Sequence, residues 1–189
     1  MRIVGGRFKG RAIRTPDGTT TRPTSDRARE SIFNVLAHAD WAPEIEGARV
    51  IDVFAGSGAL GLEALSRGAS FCLFVETASA ARGCIRDNAD TLQLFGVTRI
   101  HRRSATDLGA KPAGLGAPFN LVLMDPPYGY ELAAPALEQL KRGAWTTPDA
   151  LAVVETEADA AAPVTPGWRL QDERVYGAAR ISFLQAAEA

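Results

Sequence analysis

The chain has 189 residues, 46% apolar and 23% charged, which describes one soluble globular domain with room for a full core and a small appendage. Its opening, Met1-Arg2-Ile3-Val4-Gly5-Gly6-Arg7, holds no apolar signal segment, and no later run nears the roughly 18 apolar residues of a membrane span, so a cytoplasmic protein with no membrane partner is expected. The formal net charge of −1 conceals an asymmetry: residues 1–30 carry eight Arg or Lys against Asp17, Asp26 and Glu30, a net +5, which leaves −6 for the remainder and suits a polyanion held at one end.

From Arg2 to Ile13, Ile3, Val4, Phe8 and Ile13 are interleaved with Gly5, Gly6, Gly10 and the cations Arg2, Arg7, Lys9 and Arg11. The pattern predicts a glycine-bent hairpin with a small core that leaves the cations exposed. Residues 1–21 are therefore read as an extension and 22–189 as the main domain. Thr15-Pro16-Asp17-Gly18 has turn chemistry. A helix capped by Thr24 or Ser25 is expected to run to about His38, with Ile32, Val35 and Leu36 buried and Phe33 beside them. Arg22, Arg27 and Arg29 at its start oppose the helix dipole, which fits either a ligand-facing role or an ion pair with Asp26 or Glu30.

Arg49 to Phe54 reads as a buried strand followed at once by Ala55-Gly56-Ser57-Gly58-Ala59-Leu60-Gly61. Strand, glycine turn and helix form the arrangement in which a nucleotide-like ligand meets a helix N-terminus. Gly56 and Gly58 let the backbone approach the ligand, and Gly61 lets the helix lie close to the sheet. Asp52, at the strand's end, is placed to orient the loop or to meet a ligand's ammonium group. Phe71 to Val75 is the next strand; Glu76 at its end lies 20 residues beyond Gly56, near the spacing for an acid that grips ribose hydroxyls.

A helix from about Ala78 to Leu94 and a strand near Thr98 to Arg103, closed by Ser104-Ala105, follow. Phe119 to Met124 is an apolar run that stops at Asp125-Pro126-Pro127-Tyr128. Its two prolines make the turn rigid and leave its carbonyls free to accept hydrogen bonds, at the strand end where open α/β sheets place their sites. A helix over Tyr130 to Arg142, a strand over Ala150 to Glu155 and a hairpin of Trp168 to Tyr176 with Ala179 to Gln185 complete the chain. The sheet is predicted to be mainly parallel with an antiparallel edge. Cys72 and Cys84 have no metal-ligand spacing and read as buried reduced thiols, so no metal is expected.

Gly56-x-Gly58-x-x-Gly61 fits two cofactor classes, a dinucleotide and S-adenosylmethionine (SAM). The polar Asp52 and the rigid Asp125-Pro126-Pro127-Tyr128 favour methylation of an exocyclic amine. The lone pair of such a nitrogen is delocalised into the base, so acceptors on its hydrogens must favour the pyramidal form. Asp125 and the Pro126 carbonyl are candidates for those acceptors, with Tyr128 stacking on the base at about 1–3 kcal/mol.

The run Asp52 to Ala64, the tetrapeptide Asp125 to Tyr128, the opening Met1 to Gly6 and Arg22-Pro23-Thr24-Ser25-Asp26-Arg27-Ala28-Arg29-Glu30 together resemble the bacterial 16S ribosomal RNA guanine-N2 methyltransferases of the RsmD type, nearly end to end. The resemblance implies a Rossmann-like class I SAM-dependent methyltransferase fold and N2-methylguanosine as the product. It assigns the loop Phe54, Ala55, Gly56, Ser57, Gly58 and Gly61 to the methionine part of SAM, Glu76 to the ribose and Ser104-Ala105 to the adenine, with Asp52 counted among the cofactor-site residues. It also places Arg22, Thr24 and Arg27 beside cofactor and substrate. In two places the chain departs from that family's pattern: Ala78 stands where a second acid is common, and Ser104 where Asn or Asp is common. The expected partner is 16S rRNA or the small subunit, gripped by Arg2, Arg7, Lys9, Arg11, Arg14 and Arg27, with the protein a monomer. The alternatives are a DNA adenine or cytosine amino-methyltransferase, which typically has Asn in place of Asp125, a non-catalytic assembly factor that kept the fold, and a dinucleotide oxidoreductase.

Overall fold

The computed structural model describes residues 1–17 and 26–187. Seven strands form one sheet: β1 (Arg49–Val53), β2 (Phe71–Val75), β3 (Thr98–His101), β4 (Phe119–Met124), β5 (Thr146–Glu157), β6 (Trp168–Tyr176) and β7 (Ala179–Ala186), in the order β3-β2-β1-β4-β5-β7-β6. The first five are parallel to one another, and β7 runs antiparallel between β5 and β6. The helices are α1 (Asp26–His38), α2 (Ala59–Ser66), α3 (Ser79–Thr91) and α4 (Ala133–Arg142).

Successive strand residues point to opposite faces, and both faces are buried. On one, Val50, Phe74, Leu121, Leu123 and Val153 pack with Ile32, Phe33 and Leu36 of α1, Leu62 and Leu65 of α2, and Ile85 of α3. On the other, Ile51, Val53, Val122, Met124 and Val154 pack with Leu137 and Leu140 of α4 and with Trp145 and Trp168. This explains why the central strands β2 and β4 read as nearly continuous apolar runs. Both cysteines are buried free thiols.

The expected N-terminal hairpin closes through a single antiparallel bridge, Arg2↔Ala12, around a 3-10 turn at Gly6–Phe8. Gly6 and Gly10 take φ of 71° and 85°, which bends the chain; Ile3, Gly10 and Ile13 N–H donate across the hairpin to Arg11, Ile3 and Met1, while two further donors go to α2. Val4 N–H donates to Glu63 and Phe8 N–H to Ser66, both on α2. The segment has no small core of its own: Ile3 and Ile13 are buried in the cluster shared with α1 and α2. Gly6 is required for this seat, since a Cβ there would lie 2.0 Å from the Ser66 carbonyl oxygen.

Several boundaries differ from those expected. β3 stops at His101, α3 spans Ser79–Thr91, α4 begins at Ala133, and β5 starts earlier, at Thr146. Arg29 lies fully buried, donating to Asp26 Oδ1 at 2.6 Å and to the Arg2 carbonyl at 2.7 Å, so this cation of the helix start ties the N-terminal segment to α1. The expected caps Thr24 and Ser25 lie outside the described residues.

Candidate active site

The carboxyl ends of β1 and β4 lie side by side, with Val53 in register with Met124. The strand order reverses between them: the chain leaves β1 toward β2 and β3, and from β4 continues to β5. Loops at such a reversal diverge to opposite faces and leave a crevice. The glycine loop follows β1 and Asp125-Pro126-Pro127-Tyr128 follows β4, so the two motifs, about 70 positions apart in the chain, border one crevice. Asp125 N–H donates to the Val53 carbonyl at 3.4 Å, which links the second motif to the first strand.

The glycine loop is held from three sides. Phe54 takes φ 59° and Gly56 φ 56°, and Gly58 N–H closes the turn on the Ala55 carbonyl at 2.7 Å. A left-handed phenylalanine is uncommon and marks a backbone whose surroundings over-determine it. Glu76 at the end of β2 accepts from Gly56 N–H and Ala78 N–H, each at 2.8 Å, and so joins the loop to the start of α3. Asp52 Oδ2 accepts from Gly61 N–H at 2.9 Å in the first turn of α2. Of its two expected roles, orienting the loop is the one its contact serves, since Asp52 is only 1% exposed. Burial, and to a lesser degree the charges of Asp125 and Glu76, push its carboxyl well above the usual carboxylate range.

The three glycines of the motif are not equivalent. A Cβ on Gly61 would come within 2.5 Å of Cys72 Sγ and Phe74 Cε1, and one on Gly58 within 3.1 Å of Phe74. On Gly56 it would meet no protein atom within 4 Å. Gly61 and Gly58 therefore serve close packing, while Gly56 borders open space. An open glycine backbone beside a carboxylate at the second strand end fits a nucleoside joined to an amino acid, as in SAM.

Ser104 Oγ lies 3.0 Å from Thr106 Oγ1 and accepts from Thr106 N–H at 3.3 Å, so it shapes its own turn, with Ala105 buried behind it. In the proline turn, Pro126 is buried while Pro127 and Tyr128 face outward. The Tyr128 hydroxyl donates to Glu155 Oε1 at 3.0 Å, and burial together with the Glu155 charge pushes this phenol well above its usual pKa, keeping it a donor. A cavity of about 320 Å³ opens beside the turn, lined in part by Pro126, Pro127, Tyr128, Tyr130, Thr156 and Glu157.

The expected cations within the described residues lie along the N-terminal segment and, for Arg27, at the start of α1. Arg2 pairs with Asp26 at 3.0 Å and Arg14 with Asp87 at 2.6 Å, both on the surface. Arg7 lies over the Phe8 ring, Arg11 reaches the Thr91 carbonyl, and Lys9 and Arg27 are exposed. Arg22 and Thr24 lie outside the described residues. Two residues of the site were not singled out from the sequence. Glu155, now seen to hold Tyr128, was legible only as a carboxylate ending an apolar strand. Asn88, an Asn at i+3 and i+4 from the buried Ile85 and Cys84, sits on the inner face of α3 and is 4% exposed.

Three comparisons with known proteins converge. The ribosomal RNA small subunit methyltransferase D of Escherichia coli is 38% identical over 94% of this chain and 85% of its own length. The protein of that name from Haemophilus influenzae is 34% identical over 94% of this chain and 89% of its own. The solved structure of Escherichia coli yhhF superposes with a TM-score of 0.84 at 37% identity, covering 100% of this chain and 99% of that one. The sheet order and its antiparallel edge are those of a Rossmann-like class I SAM-dependent methyltransferase fold. Matched over residues 1–185 by the family described as conserved hypothetical protein 95, and sharing that likeness with the ribosomal RNA small subunit methyltransferases D, the chain belongs to this family.

Proposed function

We propose that this protein transfers a methyl group from SAM to the exocyclic N2 amine of a guanine in 16S ribosomal RNA, acting on the small subunit or an assembly intermediate of it. The observation that carries the reading is the juxtaposition, across the β1/β4 reversal, of the glycine loop with the rigid Asp125-Pro126-Pro127-Tyr128 turn. The names of the relatives supply ribosomal RNA as the substrate class.

Bound SAM would supply a methyl group on a sulfonium, already a good leaving group. The chain's own contribution is then positioning and electrostatics. The loop around Gly56, fixed by Glu76 and Asp52, would hold the cofactor's methionine part, Glu76 its ribose, and the Ser104-Ala105 corner its adenine. The Asp125 carboxylate and the Pro126 carbonyl accept the two N2–H hydrogens, drawing the nitrogen out of conjugation and aiming its lone pair at the crevice. Asp125 is also placed to receive the proton that N2 must lose. Tyr128, its ring angle set by Glu155, stacks on the extruded base, and the adjoining cavity of about 320 Å³ accommodates the base and its sugar. The cations of residues 1–17, with Arg22 and Arg27, hold phosphates, which sets register while the pocket reads the base.

The deciding experiment offers labelled SAM with unmodified naked 16S RNA, small subunits and DNA in separate reactions, followed by digestion to nucleosides and mass spectrometry. N2-methylguanosine from either RNA substrate is expected, and the productive one identifies the assembly state that is recognised. Methylated adenine or cytosine in DNA would overturn the reading. SAM binding without product in any reaction would instead favour a non-catalytic assembly factor.

A further inference from the structure

One buried amide connects the two halves of the site. Asn88, on the inner face of α3, accepts at Oδ1 from the backbone N–H of Arg14 at 2.8 Å and donates from Nδ2 to the Arg14 carbonyl at 3.0 Å. The same Nδ2 donates to the Ser57 carbonyl at 3.1 Å. Arg14 belongs to the basic N-terminal segment and Ser57 to the glycine loop, so a single side chain has two backbone contacts on one and one on the other.

The surroundings tighten this link. The Arg14 guanidinium pairs with Asp87, the residue before Asn88, and Ser57 Oγ contacts Met1 Sδ at 3.9 Å. Glu63 and Ser66 hold the stretch Val4 to Phe8 on α2, the helix that the glycine loop leads into. The segment thus lies across α2 and α3. Its own closure is one bridge with the backbone bonds Ile3 to Arg11, Gly10 to Ile3 and Ile13 to Met1, so holding it across α2 and α3 still costs backbone entropy that its contacts with the helices must offset.

We infer that Asn88 couples the two ligands: because its one amide clasps both Arg14 of the basic segment and Ser57 of the glycine loop, RNA held on the segment tightens cofactor binding, and cofactor tightens RNA binding. The inference rests on the reading above, in which the segment meets RNA and the loop meets cofactor. A ligand that orders the segment keeps the Arg14 backbone on Asn88 and so keeps the amide aligned on Ser57. The second ligand then finds its loop already ordered, and by linkage the effect is reciprocal. Asn88 touches neither ligand in this scheme and is a positioning residue.

The test titrates S-adenosylhomocysteine into the full-length protein by calorimetry, alone and with a saturating unmodified 16S RNA fragment. RNA is expected to tighten cofactor binding about five-fold or more, at the lower end of typical couplings. Asn88→Leu, which removes all three hydrogen bonds, and Asn88→Ser, which is too short to span both partners, should reduce the factor to below about two-fold. Arg14→Ala weakens RNA binding yet keeps the backbone groups that Asn88 clasps, so its coupling factor should survive. A purely structural Asn88 would lower melting temperature and both affinities while leaving their ratio intact. A wild-type factor near one, or a folded Asn88→Ser protein with full coupling, overturns the inference. Methyl transfer to RNA by the wild type in the same mixture separates the two failures: transfer without coupling sinks the inference alone, while no transfer sinks the functional reading and the inference with it.

Discussion

The hydroxyl of Tyr128 donates to Glu155 Oε1 across 3.0 Å, so the outermost residue of the proline turn is tethered to β5, the strand beside its own. The prolines make the backbone rigid, and this bond sets the angle of the ring. Tyr128→Phe should keep the stacking surface and lose only the tether, lowering kcat/KM for RNA by about ten-fold at most. Tyr128→Ala removes the stack as well and should lose a further factor within about 5- to 150-fold, the equivalent of 1–3 kcal/mol. Equal steady-state constants for the two variants would show that the ring does not meet the base.

In the proposed mechanism the Asp125 carboxylate accepts from the reacting amine. Asp125→Ala should bind SAM within about two-fold of wild type and lose roughly 10²–10³ in turnover, the size seen when one electrostatic partner of a transition state is removed. Single-turnover methylation together with calorimetric SAM binding makes the comparison, and near-normal turnover would remove Asp125 from the reaction centre.

Gly56 and Gly61 belong to one motif and should fail differently. Gly61→Ala drives a methyl group to within 2.5 Å of Cys72 and Phe74, an overpacking that costs about 1–3 kcal/mol and should lower the melting temperature by several degrees. Gly56→Ala meets no protein atom and carries only the backbone strain of φ 56°, of the order of 1 kcal/mol. Its larger effect should be on the cofactor, with SAM affinity down about ten-fold or more. Thermal melts with and without SAM distinguish the two, and unchanged SAM affinity in Gly56→Ala would sink the assignment of Gly56 to the ligand.

The buried Asp52 gives stability a pH dependence of definite sign. Burial raises its folded-state pKa above the ordinary value of 3.8, so the folded chain keeps a proton that the unfolded chain has released. Stability is therefore lost as pH rises from about 4 through the raised folded value. Asp52→Asn retains an oxygen to accept from Gly61 N–H and carries no titrating proton. The melting temperature of the variant relative to wild type should climb with pH over that interval and then level off; a difference that stays constant from pH 4 to 8 would contradict this account.

In the proposed reading Arg7, Lys9 and Arg11 carry the electrostatic part of RNA binding without touching the cofactor loop. Replacing all three with Ala should weaken RNA binding, reduce the slope of log K against log salt by about two to three, and leave the affinity of the RNA-free protein for SAM unchanged. An unaltered salt slope would move the RNA footprint off this segment.

The alternation of apolar runs with amphipathic stretches was enough to place the seven strands and four α-helices that the structure describes, though not all their ends nor the 3-10 turns at Gly6–Phe8 and Ala113–Leu115, because the periodicity of a strand or α-helix is a local property of the chain. The two motifs were legible for the same reason: glycines at 56, 58 and 61 and prolines at 126 and 127 restrict or free the backbone where they stand. The N-terminal segment was less so. Its residues suggested a hairpin, and Ile3, Gly10 and Ile13 do bond across it, but the N–H groups of Val4 and Phe8 found Glu63 and Ser66 on α2, some 58 residues away in the chain, and no local pattern announces such partners.

By itself, then, the sequence determined the order of elements, a mainly parallel sheet, the basic end and the chemistry at two strand ends. Only the tertiary structure decided that β1 and β4 are neighbours, so that the glycine loop and the proline turn share one crevice. It alone decided that Glu155 holds Tyr128 from 27 residues away, and that Asn88 joins Arg14, 74 residues distant, to Ser57, 31 residues distant. The physical reason is common to all three. Hydrophobic periodicity is written along a few consecutive residues, whereas strand pairing and buried hydrogen bonds are chosen by the packing of the whole core, which brings distant groups together and leaves each buried polar atom to find a partner there.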